Sequence, residues 1–403
     1  MKKYLAPDPT AETESKQVQQ QQQIVQILSR SPWPLTIHQI CGKLQISMPT
    51  GLKLIGELQD IGLVKIVGKK ETGSGRKPSL YHLNDFQFYA VGVEILLKRI
   101  SVGFIDLKFN SEYYRQDTNF ELDNTQESLE EVIDFIHQSI QNSGIPTDRL
   151  LGMGVGITGR VNGDAGESLS YFNFTSEPLA SYLSSRFKLP VIIDNDTRSY
   201  GMAEKNMGKA RNVKNAIVIN LSRGLGTSLI VDNRMVNGGY GFAGELGHMQ
   251  FGDSNKMCIC GKRGCLGNDV SGFALEEEFK DAVENGEPSK LTGVKPLEEI
   301  RYDDILSAAL EGDSLSIVLL QKMGRKLGRA LGNIINLLNP ELVIIGGKFA
   351  KVKDILGDNV NTGMANTALV HPLKYTRLEF SELGELAGLK EAGASVFKHF
   401  KLI

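Results

Sequence analysis

Residues 245–265 read E-L-G-H-M-Q-F-G-D-S-N-K-M-C-I-C-G-K-R-G-C and constrain the fold more than any other stretch. The window gathers three of the chain's four cysteines beside one of its six histidines. Cys258 and Cys260 flank a single residue, Cys265 follows after Gly261, Lys262, Arg263 and Gly264, and His248 stands upstream. Three thiolates and a neutral imidazole are the donor set of a closed, tetrahedral Zn²⁺ site. Gly261 and Gly264 allow the tight turns that bring Cys265 back onto the ion. The alternative is three reduced thiols sharing a loop without a metal; donor types and spacing together favour zinc. Four protein ligands leave no position for water, so the expected role is structural, holding the loop that begins at Glu245.

A chain of 403 residues is too long for one ordinary core, and about two to three domains are expected. Hydrophobic residues make up 41% and charged residues 23%, ordinary for a globular protein. No apolar run approaches the ~18 residues of a membrane helix, and residues 6–23 are too polar for a signal-peptide core. Few cysteines and a metal site fit a reducing cytoplasm.

The overall charge of −2 hides an asymmetry. Across residues 15–84, nine basic residues oppose Glu57, Asp60 and Glu71, a local net of +6 that leaves −8 on the remainder. A basic head on an acidic body suggests a nucleic-acid module joined to something else.

The head's periodicity agrees. Residues 1–15 are polar and expected to be a disordered tail. The glutamine run 19–23 reads either as the first turns of a helix continuing through Ile24, Ile27 and Leu28 or as tail. Pro32 and Pro34 end that element. A second helix over 36–44, capped by Thr36, places Ile37, Ile40, Cys41 and Leu44 on one face. A third, capped by Ser47, runs to about residue 60 and stops at Gly62. Strand-like segments 63–67 and 79–83 flank a basic, glycine-rich turn. This is the order of a winged helix-turn-helix whose third helix enters a major groove by its N-terminal end. Met48, Pro49, Thr50 and Lys53 then face base edges, while Lys69, Lys70, Arg76 and Lys77 in the wing meet phosphates or the minor groove. A small protein-interaction module with a solvated basic loop is the alternative. Two residues fit a recognition helix poorly: Gly51 costs about 1 kcal/mol of helix stability, and Leu52 stands where polar residues are usual.

From Phe88 onward strands alternate with helices, which indicates α/β architecture with partly parallel sheets. Segments 88–95 and 100–107 read as a hairpin, 128–143 as a helix and 150–157 as a buried strand. The latter contains Gly152-x-Gly154-x-Gly156, a pattern that more often marks close backbone packing than a phosphate cradle. Asp194-Asn195-Asp196 follows a short strand and opens a helix over 197–207. Strands at 216–220 and 227–231 flank Ser222-Arg223-Gly224. A strand over 342–345 ends at Gly346-Gly347, and a last helix covers about 389–400.

These motifs together resemble the ROK family (repressors, open reading frames, kinases). The matches are Glu245-Leu-Gly-His248, Cys258-x-Cys260-Gly-x-x-Gly264-Cys265, Asp194-Asn195-Asp196 and the Leu338-to-Gly347 segment, with Gly75-Arg-Lys-Pro78 in the wing resembling the repressor branch. The resemblance implies an actin-like (ribonuclease H-like), two-lobed sugar-kinase fold behind the winged helix-turn-helix. The head then occupies 16–84, the first lobe 85–195 completed by the terminal helix at about 386–403, and the second lobe 196–385 with the zinc loop. A sugar or sugar phosphate is implied in the interlobe cleft, held by Asn195, Asp196, Glu245 and His248. His248 would use one ring nitrogen for the sugar and the other for zinc, a ligation that fixes its tautomer. In the family's kinases the residue matching Asp196 is the general base.

The departures bear on phosphoryl transfer, which depends almost wholly on positioning phosphates. Where the kinases carry Asp-x-Gly-Gly-Thr, this chain reads Glu94-Ile95-Leu96-Leu97-Lys98; where they carry Gly-Thr-Gly, it reads Ser222-Arg223-Gly224. ATP binding is therefore expected to be lost. Gly267 stands where the family places a sugar-binding glutamate, so either the effector differs or its affinity is weak. The expectation is a non-catalytic, cytoplasmic repressor that senses a sugar and binds operator DNA as a homodimer or higher homo-oligomer, with a ROK kinase carrying a DNA-binding head, or a ligand-independent repressor controlled by a protein partner, as the alternatives.

Overall fold

Within the head, local signals decide where each helix begins. The structure, a computed structural model, describes residues 16–71, 77–84, 87–253 and 255–403. Helix α1, Lys16–Arg30, includes the glutamine run and buries Gln21 and Gln22 alongside Ile24, Val25 and Leu28. The Gln17 and Gln21 amides donate to Glu57 at 2.8 and 2.7 Å, so polar residues at helical spacing are tied rather than stranded. Strand β1, Leu35–Thr36, runs into α2, Ile37–Leu44, through a capping box in which Thr36 and Gln39 exchange hydrogen bonds. Helix α3, Met48–Asp60, is capped by Ser47 Oγ, which accepts from Thr50 N at 3.3 Å. Strands β2, Val64–Lys69, and β3, Ser79–Leu83, pair antiparallel, and β1 adds to the far side of β3.

Gly51 is explained by this packing. A Cβ there would lie inside van der Waals contact of Cys41 Sγ and 3.2 Å from Ile37 Cδ1. The glycine lowers the helix propensity of α3 and in return brings α2 and α3 close. Cys41 is buried in that contact, and burial raises its thiol pKa.

The described chain divides into two compact units, one comprising residues up to Asp196 together with Leu389–Ile403, the other Thr197–Gly388. Beyond the head, the first unit contains a five-stranded sheet in the order β10-β7-β4-β5-β6. Its strands are β4 (Tyr89–Leu96), β5 (Arg99–Ile105), β6 (Ser111–Asp117), β7 (Leu150–Ile157) and β10 (Val191–Asn195). The first three form an antiparallel meander, while β7 and β10 join in parallel. Helix α4, Gln126–Asn142, covers one face with Leu129, Val132, Ile133 and Ile136, and the antiparallel pair β8 (Val161–Asn162) and β9 (Glu167–Ser168) and helix α5 (Leu179–Phe187) belong to the same unit. The terminal helix, Ala387–His399, supplies the other cover. A Cβ on Gly154 would overlap the Ala392 carbonyl, and one on Gly152 would lie 2.8 Å from Pro190 O. Those two glycines therefore serve close backbone packing, as their pattern suggested. Val396, Phe397, Phe400 and Leu402 share one core with Ile24, Leu28, Leu58 and Leu83 of the head, so the head is welded to this unit by apolar burial.

The second unit contains a sheet in the order β13-β12-β11-β14-β15, comprising Arg234–Met235, Leu225–Val231, Ala216–Leu221, Leu342–Gly346 and Arg377–Phe380. Its helices include α7 (Gly272–Glu284), α8 (Tyr302–Leu310), α9 (Ser314–Leu338) and α10 (Lys353–Ala365). Helix α9 buries Leu320, Leu327, Leu331 and Ile335 against Ile219 and Ile345 of the sheet. No helix among the described residues is long and apolar enough to cross a membrane.

Candidate functional site

The metal-loop expectation can be tested on donor geometry. His248 closes a one-turn 3₁₀ helix, Leu246–His248, whose buried Leu246 anchors it in the core. Gly247 lets this turn press on β12: a Cβ there would sit 2.6 Å from Leu225 O. Downstream, Cys258 N donates to Lys262 O at 2.8 Å and Gly261 N to Cys258 O at 2.9 Å, folding the cysteine loop back on itself. Gly261 and Gly264 take φ of 81° and 76°, the left-handed region that the sequence required of them. The four donor atoms of His248, Cys258, Cys260 and Cys265 all lie within 4.8 Å of one another. Cys258 Sγ is 3.5 Å from His248 Nδ1, and Cys260 Sγ is 3.5 Å from Cys265 Sγ. A tetrahedral zinc with bonds of about 2.0–2.3 Å has edges near these values.

The electrostatics of the cluster point the same way. Burial, with the neighbouring sulfurs, pushes the Cys265 thiol up to about 12. Cys260 is held below its ordinary value, first because the Lys262 backbone N–H donates to it. Anionic sulfurs this crowded repel one another unless a cation shares them. The cluster can therefore hold a metal ion.

His248 turns Nδ1 toward Cys258 and Nε2 toward Glu245, whose Oε2 lies 3.9 Å away. Glu245 is half-exposed immediately before the turn. At Gly267, where the family carries a glutamate, a Cβ would stand 3.2 Å from Gly247 O, a tight approach that a shift of a few tenths of an ångström would relieve. Neighbouring Asp269 is buried and ion-paired with Lys326, which occupies it structurally.

In the first unit, Asn195 ends β10 and Asp196 opens α6, Asp196–Met207. Both are half-buried. Asn195 Nδ2 donates to Asp196 Oδ1 at 2.9 Å and to Gly159 O at 2.8 Å, which aims the amide and carboxylate as a pair. At the β4–β5 turn, the replacement of the kinase glycines has a structural counterpart. Buried Glu94 accepts from Arg99 Nη2 at 2.7 Å, and Leu97 projects at the turn. In the second unit, Arg223 lies over the Phe273 ring at 5.6 Å, with Nη1 3.7 Å from Glu276. Glu276 is itself anchored by Tyr302 N at 2.9 Å. Side chains at both turns are thus engaged with protein partners.

On the head, Met48, Pro49 and Lys53 are exposed along α3, and Thr50 is half-buried beside Ser47. Lys69, Lys70 and Lys77 are exposed in the wing, while Arg76 lies outside the described residues. Sequence reasoning missed a buried polar network in the second unit. Glu204 is fully buried and accepts from Ser381 Oγ, which in turn accepts from Tyr200 OH at 2.8 Å. Its members lie far apart in sequence, and no periodic signal joins them.

The fold and these residues define a sugar-kinase-like α/β body carrying a winged helix-turn-helix head. The ROK family model matches residues 90–398, and the chain belongs to that family. A xylose repressor of Caldicellulosiruptor bescii is 28% identical over 348 residues, 85% of this chain and 86% of its own. The crystal structure of a ROK family transcriptional regulator, homologous to the E. coli MLC protein, superposes with a TM-score of 0.79 at 26% identity, over 96% of this chain and 98% of that one. A ROK glucokinase from Streptomyces griseus, solved with glucose and AMPPNP, matches 76% of this chain and 98% of its own at TM-score 0.66 and 24% identity, which shows the shared fold.

Proposed function

We propose that this chain is a sugar-responsive transcriptional repressor that has given up phosphoryl transfer. The observation that carries the reading is one chain with two features: a recognition helix whose first turn is free of acids on a basic head, and a ROK body whose first phosphate turn holds the Glu94–Arg99 pair. Backbone N–H groups grip phosphates only where no side chain stands in the way, which is why the lost glycines matter. Similarity to a xylose repressor and to a ROK regulator supports the assignment.

The effector in this reading is a sugar or sugar phosphate, contacted by Asn195, Asp196, Glu245 and His248. Zinc on His248, Cys258, Cys260 and Cys265 holds the imidazole in one tautomer and fixes its direction. The protein works in the cytoplasm as a homodimer on a two-fold operator, with half-sites spaced by whole helical turns. Met48, Pro49, Thr50 and Lys53 meet base edges, and Lys69, Lys70, Arg76 and Lys77 meet the backbone. The sugar changes operator affinity only as far as it binds the DNA-competent and DNA-incompetent states unequally.

The test combines calorimetry against a monosaccharide and sugar-phosphate panel with operator binding in the presence of each sugar. Binding that shifts DNA affinity and is lost in Asp196→Asn and Glu245→Gln is expected. Retention of Asp196, the position of the general base in the family's kinases, favours a second reading, a kinase with a DNA-binding head. A coupled ATP assay with turnover abolished by Asp196→Asn would establish it in place of the first.

A further inference from the structure

The outward face of α3 carries little hydrogen-bonding chemistry. Helix α3 buries Gly51, Leu54, Ile55 and Leu58. At about 100° per residue, that stripe turns Pro49, Lys53, Gly56 and Asp60 away from the core and sets Leu52 and Met48 along its flank. Leu52 is 50% and Met48 39% exposed, so neither is explained by packing in the head. They stand four residues apart, adjacent on one face. The Thr50 hydroxyl is engaged with Ser47 Oγ at 2.8 Å. Lys53 is the only charged side chain in the first two turns, which contain no arginine, asparagine or glutamine.

A helix with this face has few means to read guanine or adenine, whose edges are recognised by bidentate Arg, Lys, Asn or Gln. The apolar feature that unmodified bases present in the major groove is the C5-methyl of thymine. Charge complementarity selects DNA as the occupant: the first turn of α3 carries no acid, and Lys53, Lys69, Lys70 and Lys77 are all exposed on the head. Resting on the reading of the head as a DNA-binding module, we infer that Met48 and Leu52 recognise thymine methyl groups. Sequence preference under α3 is then set by apolar contact, with Lys53 contributing the polar one. Leu52, out of place by the usual composition of such helices, is a specificity residue.

The full-length chain is used to select duplexes from a random pool, and affinity for a selected site is measured at one fixed salt concentration. Each thymine is then replaced by uracil, which removes only the methyl group. One or two positions per half-site are expected to weaken binding about fourfold each, the value of one buried methyl. In Leu52→Ala or Met48→Ala, binding to the thymine site falls by a similar factor and the matching uracil penalty disappears. Both side chains are exposed, and an unchanged thermal midpoint confirms folding. A flat uracil scan with selected DNA still bound, or a penalty that persists in both variants, overturns methyl recognition while leaving DNA binding intact. A pool from which no duplex is enriched overturns the DNA-binding reading and this inference with it.

Discussion

The β4–β5 turn and the cysteine loop diverge from their family in opposite senses. The loop keeps every donor: His248, Cys258, Cys260 and Cys265 converge within 4.8 Å, and the glycines that bend the backbone keep their left-handed conformations. The turn keeps none of the kinase glycines, and Glu94 and Arg99 pair beside it at 2.7 Å. A metal loop cannot degrade gradually, since losing one ligand leaves buried thiols without their cation. A phosphate turn can, because ordinary side chains repack into a space that no longer has to admit phosphate.

Removing a ligand from the loop should have the largest effect. Cys265→Ser is expected to reduce bound metal from about one ion per chain to near zero, a loss of affinity exceeding about a hundredfold, read by elemental analysis and by protease sensitivity of the loop. Since the metal-free Cys265 thiol is pushed up to about 12, the ion must displace a proton to bind it. Metal affinity should therefore rise with pH and fall on acidification, with proton release visible by calorimetry in buffers of different ionisation enthalpy. A metal content that survives the substitution would erase the contrast between loop and turn.

The turn offers the next largest effect. Arg99→Met removes the guanidinium that pairs with buried Glu94 and is expected to cost about 3 kcal/mol in denaturant unfolding. Adding Glu94→Gln should recover part of it, since the carboxylate charge is then gone as well. Equal stability of Arg99→Met and the parent would show that the pair is not what replaced the phosphate turn.

Smaller effects sharpen the comparison at the head. Gly51→Ala gains about 1 kcal/mol of helix propensity but presses on Cys41, at an overpacking cost of about 1–3 kcal/mol. Net destabilisation of about 1 kcal/mol is expected, relieved when Cys41→Ala makes room. Lys69→Ala and Lys70→Ala should each lower the slope of log affinity against log salt by about 1, measured by anisotropy titrations.

Much of the head was legible because its signals are local. Thr36 and Ser47 cap the helices they were expected to cap, Gly62 follows the end of α3 with φ of 78°, and β3 falls on the expected residues. Strands β6 and β15 escaped notice because they lie at sheet edges with little buried surface, and so lack the apolar alternation that marks a strand. The helical state of the glutamine run was undecidable from its own residues, since its buried Gln21 is satisfied by Glu57, 36 positions away.

Sequence by itself determined the donor set, the caps, the basic head and the loss of the phosphate glycines, because each depends on residue identity at short spacing. Tertiary structure decided why Gly51 and Gly154 are glycines, which ring nitrogen of His248 faces the sulfurs, and which carboxylates are tied up by Arg99 and Lys326. Those answers depend on backbone and side-chain atoms brought within a few ångströms from distant parts of the chain, and no spacing in the sequence encodes that approach.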